Sequence, residues 1–249
     1  MKKQQSGFTL VEIAIVLVII GLLLGGILKG QELINSARVR NLADTATGIQ
    51  AAYYGFIDRY RQVPGDMTDT AAAAAIGDAQ IDTLNYGGDG NGQLGVNGVT
   101  PAYYEEAYSM WAHLTRAGFL QGSYNAAVPA NAAAYVAGGA PVNAFNGVML
   151  LGRGTDYSTA DDTDAAAAGT MRLLLVVGNN VPVDIARELD VKIDDTLPRQ
   201  GVLRFVGVTA TQTWTTVSQA STDCVDDTPA PNTWDITNDA QNCNLAYIY

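Results

Sequence analysis

Hydrophobic positions follow three different rhythms along this chain. From Ile13 to Leu28 no residue carries a charge and most are large and apolar. Extended back to Phe8, the run reaches 21 residues; as a helix it rises about 30 Å, the thickness of a bilayer core. Beyond it Leu42, Ala46, Ile49, Tyr53, Phe56 and Tyr60 recur at alternating steps of three and four, the stripe of an amphipathic helix. Pro64-Gly65 ends that pattern, so one helix is expected from Phe8 to about Arg61. A second helix is expected over Tyr104 to Leu120, with Ala107, Met110, Trp111, Leu114 and Ala117 on one face and Gly118 as its stop. Apolar runs at Val148 to Leu151, Met171 to Val177 and Val202 to Val208 predict strands, and Val183 to Leu189 a short helical turn. The alanine runs Ala71 to Ala75 and Ala165 to Ala168 read as short helical or loop insertions. The order of these elements predicts an α+β fold in which a mainly antiparallel sheet packs on the long N-terminal helix.

Glu12 breaks the first rhythm. An ionised carboxylate at the centre of a spanning helix costs about 2.5 to 3.5 kcal/mol on insertion scales, and less near the helix end. Its neighbours at helical spacing are Phe8, Thr9, Ile15 and Val16, none of them cationic, so a charged partner must come from elsewhere. A cut between Gly7 and Phe8 would supply one, a new α-amino group four residues before Glu12. Two plainer readings compete. A secretory signal peptide shares the basic start Lys2-Lys3, but the chain runs on as Leu28-Lys29-Gly30-Gln31-Glu32-Leu33 without a clear small-residue cleavage site. A simple signal anchor fits the length and leaves Glu12 unexplained.

The segment Lys2 to Leu28, with its short basic leader, Gly7, then Phe8-Thr9-Leu10-Val11-Glu12 and an apolar run, resembles the N-terminus of type IV prepilins and pseudopilins. The resemblance implies cleavage after Gly7 by a prepilin peptidase and methylation of the new N-terminus at Phe8. It places Glu12 on the glutamate thought to pair with the N-terminus of a neighbouring subunit. The implied partners are that peptidase, other pilin or pseudopilin subunits and an inner-membrane assembly platform. Gly21, Gly25 and Gly26 would let neighbouring helices approach closely. The resulting organisation is a leader at 1–7, a transmembrane and assembly helix at 8–28, its amphipathic continuation at 29–63 and an exported head at 64–249. By the basic leader, the N-terminus stays cytoplasmic and the head is periplasmic, or extracellular once in a pilus. Weaker likenesses to large pseudopilin-like proteins run through Tyr60 to Asp66, Glu105 to Gly118 and Leu189 to Asp195. The size of the head suggests a minor or tip subunit.

Charge narrows the options. The chain holds 14 Lys plus Arg against 25 Asp plus Glu, a net −11, and such a surface repels phosphate backbones, so no nucleic-acid partner is expected. No second apolar run of spanning length follows Leu28. The only cysteines, Cys224 and Cys243, lie in a segment expected in an oxidising compartment, where a disulfide is the default. Such a bridge resembles the disulfide-bounded tail of many type IV pilins. It would either staple the tail or present a binding loop, and the second option carries the alternative function, a pilin-anchored adhesin or substrate-binding module.

Tyr86-Gly87-Gly88-Asp89-Gly90-Asn91-Gly92-Gln93 puts two oxygen-bearing side chains, Asp89 and Asn91, in a glycine-rich run. This is half of a calcium loop, lacking the further ligands at EF-hand spacing, and it is equally an ordinary run of turns. Asp190, Asp194 and Asp195 are the acidic residues that would complete it from elsewhere; no other cofactor is expected. Enzymatic signals are weak. No Gly-x-Ser-x-Gly, His-Glu-x-x-His or Cys-x-x-Cys occurs, and His113, the only histidine, reads as a solvated helix residue rather than a catalytic base.

Overall fold

The computed structural model describes residues 9–84, 86–95, 103–124, 138–154, 157, 170–206, 224–226, 228 and 231–249. Gly7, Phe8 and the alanine run at 165–168 lie outside them, as does Val208 at the end of the third expected strand. The chain divides into two compact units, one ending at Arg40 and the other Asn41–Tyr249.

The first unit is helix throughout its described part. Helix α1 runs Leu10–Tyr60, within two residues of the expected bounds. The helix is long and apolar enough to cross a membrane, and none of its most apolar stretch is buried. Leu10, Leu17, Leu22 and Leu28 are more than three-fifths exposed. A helix apolar on every side has no core-facing stripe; it needs lipid or other helices around it.

In the second unit the rest of α1 carries the stripe as expected. Leu42, Ala46, Ile49, Tyr53 and Phe56 are buried, whereas Tyr60 is only half-buried. Helix α2 (Asp69–Ile76) takes up the first alanine run and stops at Gly77, whose φ of +84° closes it with an N–H to the Ala73 carbonyl. Helices α3 (Gln80–Thr83) and α4 (Tyr103–Arg116) follow. Gly118, at φ +80°, terminates the α4 region as its position implied.

Strands β1 (Leu150–Gly154), β2 (Arg172–Val181) and β3 (Leu203–Phe205) match the three apolar runs, and the turn expected after Val183 is a full helix, α5 (Val183–Ile193). Strands β4 (Val225–Asp226) and β5 (Thr233–Trp234) pair with each other, and β6 (Cys243–Ile248) ends the chain. The main sheet is antiparallel throughout, in the order β1-β2-β6-β3. The C-terminal strand therefore lies inside the sheet. Tyr108 of α4 joins Leu150, Leu174, Val176 and Ala246 in a buried cluster on it. Tyr249 donates its hydroxyl to the Ala46 carbonyl of α1 at 3.3 Å. The α+β expectation holds, with helix packed on antiparallel sheet.

Candidate functional site

Two places concentrate polar chemistry. The first is the start of α1. Thr9 donates both its backbone N–H (2.8 Å) and its hydroxyl (2.7 Å) to Glu12 Oε2, and the Glu12 N–H returns a bond to Thr9 Oγ1 at 3.3 Å. This reciprocal arrangement is a capping box, Thr at the cap and Glu three residues on. Glu12 thus has an uncharged partner in its own helix, Thr9, and satisfies helix-end donors that would otherwise be orphaned. A counter-charge is still missing from this helix end among the described residues.

The second place is built around α4. His113 is fully buried, which corrects its reading as a solvated residue. Its Nδ1 accepts the Gly65 N–H at 2.9 Å and its Nε2 lies 2.6 Å from the Tyr86 carbonyl, so the ring is held as the neutral Nε2–H tautomer. Burial pushes its pKa down to about 4, helped by the Arg116 guanidinium and only partly opposed by the Tyr86 carbonyl. Seven residues earlier, two turns along the same helix face, Glu106 does the same work with a carboxylate. Glu106 Oε1 accepts the Asp89 N–H at 3.2 Å and Oε2 the Gly95 N–H at 2.6 Å. Asp66 closes the set: its Oδ2 accepts the Gly92 N–H at 2.9 Å, and its carbonyl takes the Gly90 N–H at 2.8 Å. One helix thus pins two loops, Pro64–Met67 and Tyr86–Gly95, through side chains bonded to backbone.

Close approach makes glycine necessary at Gly65. Its φ is +91°, and a Cβ there would stand 2.8 Å from Leu94 Cδ1 and 3.0 Å from Met110 Cβ, besides striking the Glu106 carbonyl. Gly65→Ala is expected to lower the melting temperature by a cost above ~1 kcal/mol, because both the backbone conformation and the space are refused. A melting curve superimposed on the wild-type curve would disprove this.

The geometry sorts the expected metal residues. Asp89 lies with Asp66 and Glu106, one oxygen of each within 4.8 Å of the others. Asn91 is engaged locally instead: its N–H and Nδ2 bond to Asp89, and its Oδ1 accepts the Gln93 N–H at 2.8 Å, the pattern of turns. Asp190, Asp194 and Asp195 do not complete that group; they form a second one of their own. There Asp194 is spent on the Val202 and Leu203 N–H groups, Asp195 accepts from Leu197, and the fully buried Asp190 accepts the Trp234 indole N–H at 2.8 Å. Burial pushes the Asp190 carboxyl up to about 7. Glu106 and Asp66 are the acidic residues of the first group that sequence reasoning missed. No spacing along the chain links the two, since Asp66 lies before α2 and Glu106 within α4.

The cysteines meet as expected. Cys224 and Cys243 are disulfide-bonded, their Cα atoms 5.8 Å apart.

Residues 2–28 match the family model of the prokaryotic N-terminal methylation motif, the prepilin-type cleavage and methylation segment of type IV pilins and pseudopilins. Over this short segment, and not over the rest of the chain, the sequence is similar to type IV pilins and pseudopilins, whose motif implies processing by prepilin peptidase and assembly with other pilins. Its apolar N-terminal helix accords with an inner-membrane anchor. None of the curated proteins matches the chain.

Proposed function

We propose that this chain is a structural subunit, minor or tip-like, of a type II secretion pseudopilus or a type IV pilus. Cleavage after Gly7 releases an α-amino group on Phe8, next to the Thr9–Glu12 cap. Methylation keeps that amine cationic. It then neutralises Glu12 on its own or an adjoining subunit, and the exposed apolar half of α1 exchanges lipid for neighbouring helices as the subunit enters the fibre. The head stays outside the membrane and displays its sheet. The observation that carries this reading is the match of residues 2–28 to the methylation motif together with the carboxylate at position 12.

The capping box supplies the discriminating variant. Glu12→Gln keeps an acceptor for Thr9, since Gln serves at this position as well as Glu, but it removes the charge. If charge pairing guides assembly, incorporation into fibres falls at least about tenfold, the effect of ~1.4 kcal/mol of lost pairing, while membrane insertion and head folding stay unchanged. Normal incorporation of the Gln variant would reduce Glu12 to a cap and remove the electrostatic step. Mass spectrometry of the mature protein tests the processing separately. The expected species begins at Phe8 and carries one extra methyl group; a native chain still beginning at Met1 overturns the assignment.

A further inference from the structure

We propose that Asp66, Asp89 and Glu106 bind a calcium ion that locks the glycine-rich loop Tyr86–Gly95 onto α4. An ion with oxygen ligands at about 2.3 to 2.6 Å holds opposite ligands roughly 4.6 to 5.2 Å apart. Oxygens of the three carboxylates already lie within 4.8 Å of one another, a spacing that admits one ion between them.

The observation that separates this group from a chance acidic patch is Asp66. Its side chain belongs to a residue only 4% exposed, and its Oδ1 is buried with no hydrogen-bond partner. A buried carboxylate oxygen left without donor or cation is costly, and in folded proteins it is filled. Glu106 is only 3% exposed, and Asp89 is exposed, which gives an ion a way in from solvent. Among the described residues none of the three takes part in an ion pair, so three negative charges meet without a protein cation.

The hydrogen bonds already present favour a metal. An ionised carboxylate has about four acceptor positions on its two oxygens; Asp66 takes the Gly92 N–H on Oδ2 and leaves Oδ1 without a partner, and Glu106 spends two on Asp89 and Gly95. Acceptor positions therefore remain for an ion, and the backbone N–H groups hold the carboxylates in orientation, as outer partners do at metal sites. All donors are hard oxygens, with no thiolate or imidazole, which excludes soft metals. Calcium suits an irregular set shared between a helix and a glycine-rich loop, with water filling the remaining positions, better than magnesium with its strict octahedron at about 2.0 to 2.1 Å.

The rival is a proton. Burial, with the neighbouring Asp89 and Asp66 charges, pushes the Glu106 carboxyl up to about 7, so a shared proton is the other way to relieve the repulsion.

The full mature chain in detergent, stripped with a chelator, separates the two when titrated with calcium chloride at pH 8 by calorimetry and by melting. The expected result is saturable binding that includes one ion at this site, with a Kd between about 10⁻⁶ and 10⁻³ M and a melting temperature raised by several degrees. Glu106→Gln and Asp66→Asn abolish that binding. Asp89→Asn, at an exposed position where folding is not at risk, weakens it about tenfold or more. Asp190→Asn leaves it intact. No saturable binding at 10 mM, about tenfold above the weakest Kd expected of such sites, overturns the proposal. So does binding unchanged in Asp89→Asn or lost in Asp190→Asn, and an equal response to magnesium chloride overturns the choice of calcium.

Discussion

Replacing His113 with alanine is expected to cost the head about 3 kcal/mol or more. The ring is buried and stacked 6.2 Å from Phe56, and its loss strands two backbone groups, the Gly65 N–H and the Tyr86 carbonyl, at about 1 to 3 kcal/mol each before any cavity is counted. A pH signature identifies the ring as the cause. Its folded pKa, about 4, lies below the ordinary 6.5, so the folded state favours the neutral ring. The stability it contributes is fully present above about pH 6.5 and is lost as pH falls toward 4, because only the unfolded chain takes up the proton in that window. The difference of about 2.5 units corresponds to roughly 3 kcal/mol. Glu106 and Asp190 act with the opposite sign. Their folded pKa values are raised to about 7, so their contribution is lost as pH rises toward 7. Wild-type stability alone therefore mixes the two slopes. The quantity to measure is the difference between wild type and His113→Gln in urea unfolding of the full chain at steps from pH 7 to pH 4. That difference should shrink steadily below pH 6.5. A constant difference would mean that the imidazole does not titrate as its burial requires.

Period and punctuation made much of this molecule legible, and the exceptions share one physical cause. The stripe from Leu42 to Phe56 could be read because one face of that helix meets the core and the other does not, the stop at Gly118 because glycine takes the positive φ that ends a helix, and three of the four main strands because buried consecutive residues leave an apolar run. Strand β6 could not. Its residues Cys243 to Tyr247 are all buried, but the buried polar Asn244 interrupts the apolar run. Helix α4 misled for the same reason. An amphipathic reading left Glu106, Ser109 and His113 on a wet side, but everything from Glu106 to Leu114 is buried. A polar residue can sit there only if tertiary structure brings it a partner, and periodicity holds no record of partners. Asp89 stood out because its own glycines framed it. Asp66 and Glu106 did not, because Glu106 reaches the loop from 17 positions along the chain and Asp66 from 26. The Thr9–Glu12 cap, by contrast, was readable at its three-residue spacing and was obscured by attention to charge alone.

Breaking the Cys224–Cys243 bridge should produce the second large effect, and its form decides what the tail does. Closing a loop across a separation of 19 residues is worth about 3 kcal/mol in the chain-entropy model. One end, Cys243, opens the central strand β6. The other, Cys224, precedes β4, and its carbonyl accepts the Asp235 N–H at 3.1 Å. The excursion has a second anchor. Trp234 of β5 is buried, packs edge-on against Phe205 and donates its indole N–H to Asp190. Two ties in parallel hold the same segment, so either one alone keeps much of it in place. Cys224→Ser with Cys243→Ser is expected to cost about 3 kcal/mol. Trp234→Phe, which leaves buried Asp190 without its donor, should cost about 1 to 3 kcal/mol. The triple variant should lose more than the sum, with a coupling of about 0.5 kcal/mol or greater, because only then is the segment released from both α5 and β6. Urea unfolding of the four chains measures the cycle. Additive losses would mean that bridge and indole act on separate structure. A bridge variant of wild-type stability would remove the staple and leave the tail free to serve as a displayed loop.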